Sequence, residues 1–342
     1  MKKIMSLLLA LLLVMSLGSA AFADGYTDMS AVTLTVTYNE TNEGSTSPAE
    51  TLAFTIARTS VTDSAEGVTV GNMPLPTLGN VAYDQGAAGN AEKMEKDLTI
   101  TLPEYENVGI YTYTIKQTAG TKAGVEYWSE DIRLVVTVIQ DADTGLIRVA
   151  AVHTESAGTG GEKSNDITNT YSAGSLSVTK TVTGNMGDRD KYFAIKVTLT
   201  GERDKTYADS YTVSGGSKLT DETTAGTPAS ISVDGKSHTF YLKHGETFTI
   251  ENLPYGVTYT VAEADYTDEQ DGGYSPADYT YSDGGTVKTV DTASETVEIT
   301  NNKEAAVDTG IVLDSLPYVL LLVLSIGGAV LFLLKRRSSR ES

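Results

Sequence analysis

Gly256-Val-Thr-Tyr-Thr-Val-Ala-Glu263 sets apolar and polar side chains in alternation behind a glycine. A period of two marks a strand that buries one face and wets the other. The stretch has a near-copy, Gly109-Ile-Tyr-Thr-Tyr-Thr-Ile-Lys-Gln117, one residue longer. Two more pairs flank it in the same order: Leu34-Thr-Val-Thr-Tyr38 with Leu176-Ser-Val-Thr-Lys180, and Asp166-Ile-Thr-Asn169 with Glu298-Ile-Thr-Asn301. Matched blocks in one order are an internal repeat, so one folding unit occurs twice, with a junction near Tyr171 to Ser175.

Elsewhere, Ile132-Arg-Leu-Val-Val-Thr-Val138 and Phe248-Thr-Ile250 continue the alternation, with Gly, Asp, Asn and Ser turns between them. Short strands with frequent turns predict an all-β chain of two tandem immunoglobulin-like β-sandwich domains. We assign residues 24–172 to the first and 173–305 to the second. The linker Ser172-Ala173-Gly174 is too short for a flexible tether, which predicts a stiff rod.

The two ends stand apart from this fold. Lys2 and Lys3 precede an apolar stretch over 4–17 and then Gly18-Ser-Ala-Ala-Phe-Ala23. A charged start, an apolar core and an Ala-x-Ala site describe a secretory signal peptide, residues 1–23. Residues 306–342 open with Ala306-Val-Asp-Thr-Gly310, run through an apolar stretch over 316–334 and close on Lys335-Arg-Arg337. That stretch is just long enough to span a hydrocarbon layer of ~30 Å, and the basic cluster favours the cytoplasmic side. Such an end is either a tail anchor or a temporary stop that presents the short polar motif outside the membrane.

The whole chain carries −20, residues 1–23 and 310–342 each carry a net +2, and residues 24–309 therefore carry −24. So acidic a body is a poor partner for nucleic acid or anionic lipid and is suited to staying soluble outside the cell. The chain has no cysteine, so an exported body must draw its stability from something other than disulfides.

Faces carry the chemistry. One side of the first strand of the second domain reads Leu176, Val178, Lys180, Val182; the strand ending at Glu263 shows Tyr259, Val261, Glu263; the last strand shows Val297, Ile299, Asn301. Each apolar row holds one polar residue, and burying a lysine or carboxylate alone is costly. If the three meet, two readings are open. One is a buried Lys–Glu ion pair capped by an asparagine. The other is a reaction: burial disfavours both charged forms, so a neutral Lys180 attacks the Asn301 amide while Glu263 relays protons. Ammonia leaves, and an isopeptide bond joins the first strand to the last.

The segments Leu176-Ser-Val-Thr-Lys-Thr-Val-Thr-Gly184, Gly187-Asp-Arg189, Leu242-Lys-His-Gly-Glu246, Asn252-Leu-Pro-Tyr-Gly-Val-Thr-Tyr-Thr-Val-Ala-Glu263 and Ile299-Thr-Asn301 resemble those of Gram-positive major (backbone) pilins with streptococcal-type isopeptide linkage domains. The resemblance implies pilin or collagen-adhesin B-type sandwiches, a Lys180–Asn301 cross-link and Glu263 as its catalytic residue. In domain one the corresponding positions read as Tyr38, Gln117 and Asn169. No lysine lies between Lys3 and Lys93, so we expect no lysine isopeptide there and a hydrogen-bonded cluster of these three residues instead.

Val307-Asp-Thr-Gly310 resembles the sorting motifs cut by sortases, although Ala306 stands where leucine is usual. The resemblance implies cleavage between Thr309 and Gly310 and transfer of the Thr309 acyl group to an amine. Lys163, between Gly160-Gly-Glu162 and Ser164, corresponds to the acceptor of such polymers. The implied partners are a sortase and further copies of this chain, with minor pilins and peptidoglycan beyond them; nucleic acid is not expected. Neither a cofactor nor a metal is expected: His153, His238 and His244 lack ligand spacing, and Asp141-Ala-Asp-Thr-Gly145 reads as a hairpin turn. The alternative function is a wall-anchored adhesin or minor pilin that never polymerises.

Overall fold

The computed structural model describes residues 28–86, 94–157, 166–216, 229–268, 272–282, 284, 288–305 and 316–338. The signal peptide, Lys163, Thr309 and Gly310 lie outside the described residues. The first repeat contributes β1 (Ala31–Glu40), β2 (Glu50–Thr62), β3 (Thr77–Leu78), β4 (Val81–Tyr83) and β5 (Met94–Thr101). It continues with β6 (Gly109–Thr118), β7 (Val125–Glu126), β8 (Ile132–Gln140), β9 (Ile147–Ser156) and β10 (Asp166–Tyr171). The second holds β11 (Ala173–Thr183), β12 (Phe193–Thr200), β13 (Tyr211–Gly215), β14 (Ser230–Ile231) and β15 (Ser237–Leu242). Its remaining strands are β16 (Thr247–Pro254), β17 (Thr258–Glu263), β18 (Asp278–Tyr281) and β19 (Ser294–Asn302). A helix, α1 (Leu316–Ser338), follows, long and apolar enough to cross a bilayer.

Each repeat forms two sheets, so the chain is all-β with tandem sandwiches. In domain one the orders are β3-β5-β1-β10-β7 and β4-β2-β6-β8-β9; in domain two they are β14-β13-β16-β11-β19-β18 and β15-β12-β17. The first strand of each domain pairs in parallel with its last, β1 with β10 and β11 with β19. The facing sheet supplies the strand quoted first above: β6 in domain one, β17 in domain two.

Alternation turns into burial as expected for a half-wetted sheet. Leu176 and Val178 of β11 pack with Val297 and Ile299 of β19 and Tyr259 and Val261 of β17 in one core, while Val182 packs with Phe193 and Tyr274. Domain one packs a separate core rich in tyrosine, whose hydroxyls reach backbone carbonyls: Tyr83 to Val36 at 2.5 Å, Tyr113 to Pro74 at 2.8 Å and Tyr111 to Asn107 at 2.8 Å. These three rings are thereby buried with their hydroxyls bonded.

Only Ser172 separates β10 from β11, and the junction is bonded on several sides. Ser172 N donates to Gly124 O at 2.8 Å, Tyr255 N to Ser172 O at 3.0 Å, and Ala123 N to Thr206 O at 3.0 Å. Asn252, left-handed at φ 58°, uses its amide as a substitute strand: Oδ1 accepts from Thr46 N at 2.7 Å and Nδ2 donates to Thr46 O at 2.9 Å.

Candidate functional site

Lys180, Glu263 and Asn301 meet. β11 and β19 are neighbours whose register pairs Lys180 with Ile299 and Val182 with Asn301, so lysine and asparagine point into the core from adjacent strands. Glu263, at the end of β17, reaches them from the opposite sheet. The side chains of Lys180 and Glu263 are 0 % and 1 % exposed, with Nζ 3.3 Å from Oε1. Nζ also bonds Asn301 Oδ1 and lies 3.2 Å from both Ile299 O and Thr181 O. The Phe193 ring covers it, 4.4 Å away.

Burial lowers the Lys180 pKa below the ordinary lysine range, against the pull of Glu263. Burial also raises the Glu263 carboxyl, against Lys180 and the Asn301 amide. Neither Glu263 oxygen accepts a well-directed hydrogen bond, so the ion pair and the amide neighbour are what hold it. Both shifts favour uncharged forms, an amine beside a carboxylic acid.

The backbone around this trio is pinned by the turn between β15 and β16. Lys180 N donates to Glu246 O at 3.0 Å, Gly245 N to Lys180 O at 2.8 Å, and Val182 N to His244 Nδ1 at 3.0 Å. Glu263 N donates to Tyr279 Oη at 2.8 Å. His244, dismissed above as a metal ligand, is thus a supporting acceptor; the signal for it was the Leu242–Glu246 block itself.

Domain one holds the same frame without the amine. Gln117 Nε2 donates to Asn169 Oδ1 at 2.5 Å, and Asn169 Nδ2 returns a bond to Gln117 Oε1 at 3.1 Å. Trp128 N adds a third at 3.0 Å. Tyr38 is not part of this cluster: its hydroxyl is buried with no hydrogen-bond partner among the described residues. Nor does Tyr38 occupy the lysine position. Asn169 pairs with Tyr38, whereas Asn301 pairs with Val182, two residues past Lys180. Counting two back from Tyr38 gives Val36, fully buried, as the counterpart of Lys180. The expected Tyr38–Gln117–Asn169 cluster is therefore corrected to a Gln117–Asn169 amide pair with Val36 beside it.

No group of three or more His, Asp or Glu among the described residues could hold a metal. Asp141 spends its Oδ1 on Thr144 N at 2.9 Å and Asp143 N at 3.1 Å, closing a turn in the β8–β9 hairpin.

Fold and site define a class: a tandem-sandwich surface protein with a buried Lys–Glu–Asn trio bridging first and last strands. Residues 33–172 match the Spy0128-like isopeptide containing domain, and residues 174–303 match a domain of unknown function (DUF7601). The chain is 27 % identical over 341 residues to a pilin of Streptococcus pyogenes serotype M1, covering 94 % of this chain and 95 % of that one. It is 31 % identical over 142 residues to the pilus tip adhesin Cpa of Streptococcus pyogenes, covering 41 % of this chain and 18 % of the adhesin. Its fold is that of the major pilin crystal structure from Streptococcus pyogenes, with TM-score 0.52, 23 % identity, and coverage of 82 % and 100 %. Residues 33–172 thus carry a Spy0128-like isopeptide containing domain, and the whole chain is similar in sequence and fold to streptococcal pilins.

Proposed function

We propose that this chain is a pilus shaft subunit that makes one isopeptide bond within itself and is joined covalently to its neighbours. Convergence of Lys180, Glu263 and Asn301 in a dry core carries the reading. The Nζ lone pair attacks Asn301 Cγ, forming the new C–N bond. Glu263 takes the proton released from Nζ and gives one to Nδ2; the Cγ–Nδ2 bond breaks and ammonia leaves. The carboxyl ends as it began, and the bond cannot be made twice, so the chain is not an enzyme in the turnover sense. Proximity in a rigid core supplies the driving geometry.

Outside the cell, a sortase cleaves between Thr309 and Gly310 and passes the Thr309 acyl group to Lys163 of the next copy. Glycines 160 and 161 and Ser164 around that lysine suit an amine that must enter another protein's active site. Intact-mass measurement of residues 24–309 should show one ammonia missing, restored by Glu263→Ala. Cell-wall extracts boiled in detergent should show a ladder that Lys163→Ala abolishes. A mass without any loss refutes the internal bond; a single wall-linked band refutes the polymer.

A further inference from the structure

Each domain releases the chain through a clasp. In domain one the loop after β1 holds the segment leaving β10: Thr41 N donates to Tyr171 O at 3.0 Å and Asn42 Nδ2 to Ala173 O at 2.7 Å. Asn42 Nδ2 also donates to Tyr255 Oη of domain two at 2.7 Å, so this clasp fixes the chain's exit and the body that follows it.

In domain two the loop after β11 treats the segment leaving β19 in the same way. Lys303 N donates to Thr183 O at 3.1 Å and Met186 N to Lys303 O at 3.0 Å. Asn185 then closes two bonds on Ala305, Nδ2 to its carbonyl and Oδ1 from its N–H, each at 2.8 Å. Gly184 permits the approach: its φ is +87°, and a Cβ there would lie 2.1 Å from Lys303 O. Residues 303–305 carry no buried side chain. Glu304 and Ala305 are exposed, so the Asn185 bonds hold backbone that lies outside the core.

We infer that Asn185 is a positioning residue for subunit joining: by fixing Ala305 it sets where and in what direction the acyl-donor arm leaves, and so orients the next copy of the chain. This rests on the polymer reading above. Four residue-to-residue steps lead from Ala305 to Thr309, at most about 14 Å of chain. A neighbour joined at Thr309 is therefore held close to this end of domain two, where Met186 is 54 % exposed.

Pili harvested from cells expressing Asn185→Ala are expected to give the wild-type ladder but fibres that have lost their straightness in negative-stain images. In the purified variant the Ala305 amide should exchange about tenfold faster, the loss of one hydrogen bond. Asn185→Asp, which keeps the acceptor and loses the donor, should fall between. A mass still lacking one ammonia shows that either variant has folded around Lys180. Straight Asn185→Ala fibres, or unchanged Ala305 exchange, overturn the inference. Wild-type cells without a ladder would overturn the polymer reading itself and take this inference with it.

Discussion

Lys180 illustrates how little separates a defect from a reagent. A lone ammonium in this core would be expensive, and the site answers by favouring the amine while a carboxyl sits 3.3 Å away. The Gln117–Asn169 pair shows the same frame satisfied without charge. Register makes a sharp prediction here. Val36→Lys with Gln117→Glu should create a second self-made bond to Asn169, read as two missing ammonias by mass. Tyr38→Lys with Gln117→Glu should leave only one missing. A second titratable site tests electrostatics alone. Burial raises the Glu50 pKa despite its bond from Tyr127 Oη. The folded state thus holds a proton that the unfolded chain has released above about pH 4.3. Its favourable contribution is present below that pH and is lost as pH rises through the folded value. Glu50→Gln should melt higher than wild type at neutral pH, and the gap should close in acid.

Among the elements, β11 and β19 carry the domain. They are parallel neighbours, ends of a segment that only the sheet ladder and the core would otherwise hold together. The proposed bond from Lys180 to Asn301 closes a loop 121 residues long in sequence separation, for which the chain-entropy estimate is about 5 kcal/mol. Glu263→Ala should therefore lower the calorimetric transition of domain two and leave that of domain one in place. Equal shifts in both would show that the loss is not confined to this loop.

For the whole molecule, the two proposed attachment points define a line of load. Lys163 precedes β10, β10 passes through Ser172 into β11, and the proposed cross-link leads from Lys180 to Asn301 and the proposed donor arm. Most of domain one hangs beside this line, so a covalent tie there would bear little of the load. Pulling a subunit between residues 163 and 309 should stretch wild type without an unfolding step in domain two, and should unravel Glu263→Ala. Rigidity across the junction depends on contacts such as the Asn252 amide on Thr46. Asn252→Ala should broaden the distribution of domain orientations in small-angle scattering, with both cores intact.

Strand identity, the repeat, the inward row of Lys180, Glu263 and Asn301, and the absence of an amine from the first strand of domain one were all legible in the amino-acid order. A period of two and the chemistry of single side chains suffice to specify them. Register was not legible. Sliding a strand by two residues leaves every side chain on its original face, so the pattern could not tell Val36 from Tyr38 as the partner of Lys180, and only the ladder between β1 and β10 decided it. The clasps of Asn42 and Asn185, the His244 acceptor and the Asn252 latch were also decided by tertiary structure. Each is a polar side chain bonded to backbone far along the chain, and no local periodicity records where that backbone will be.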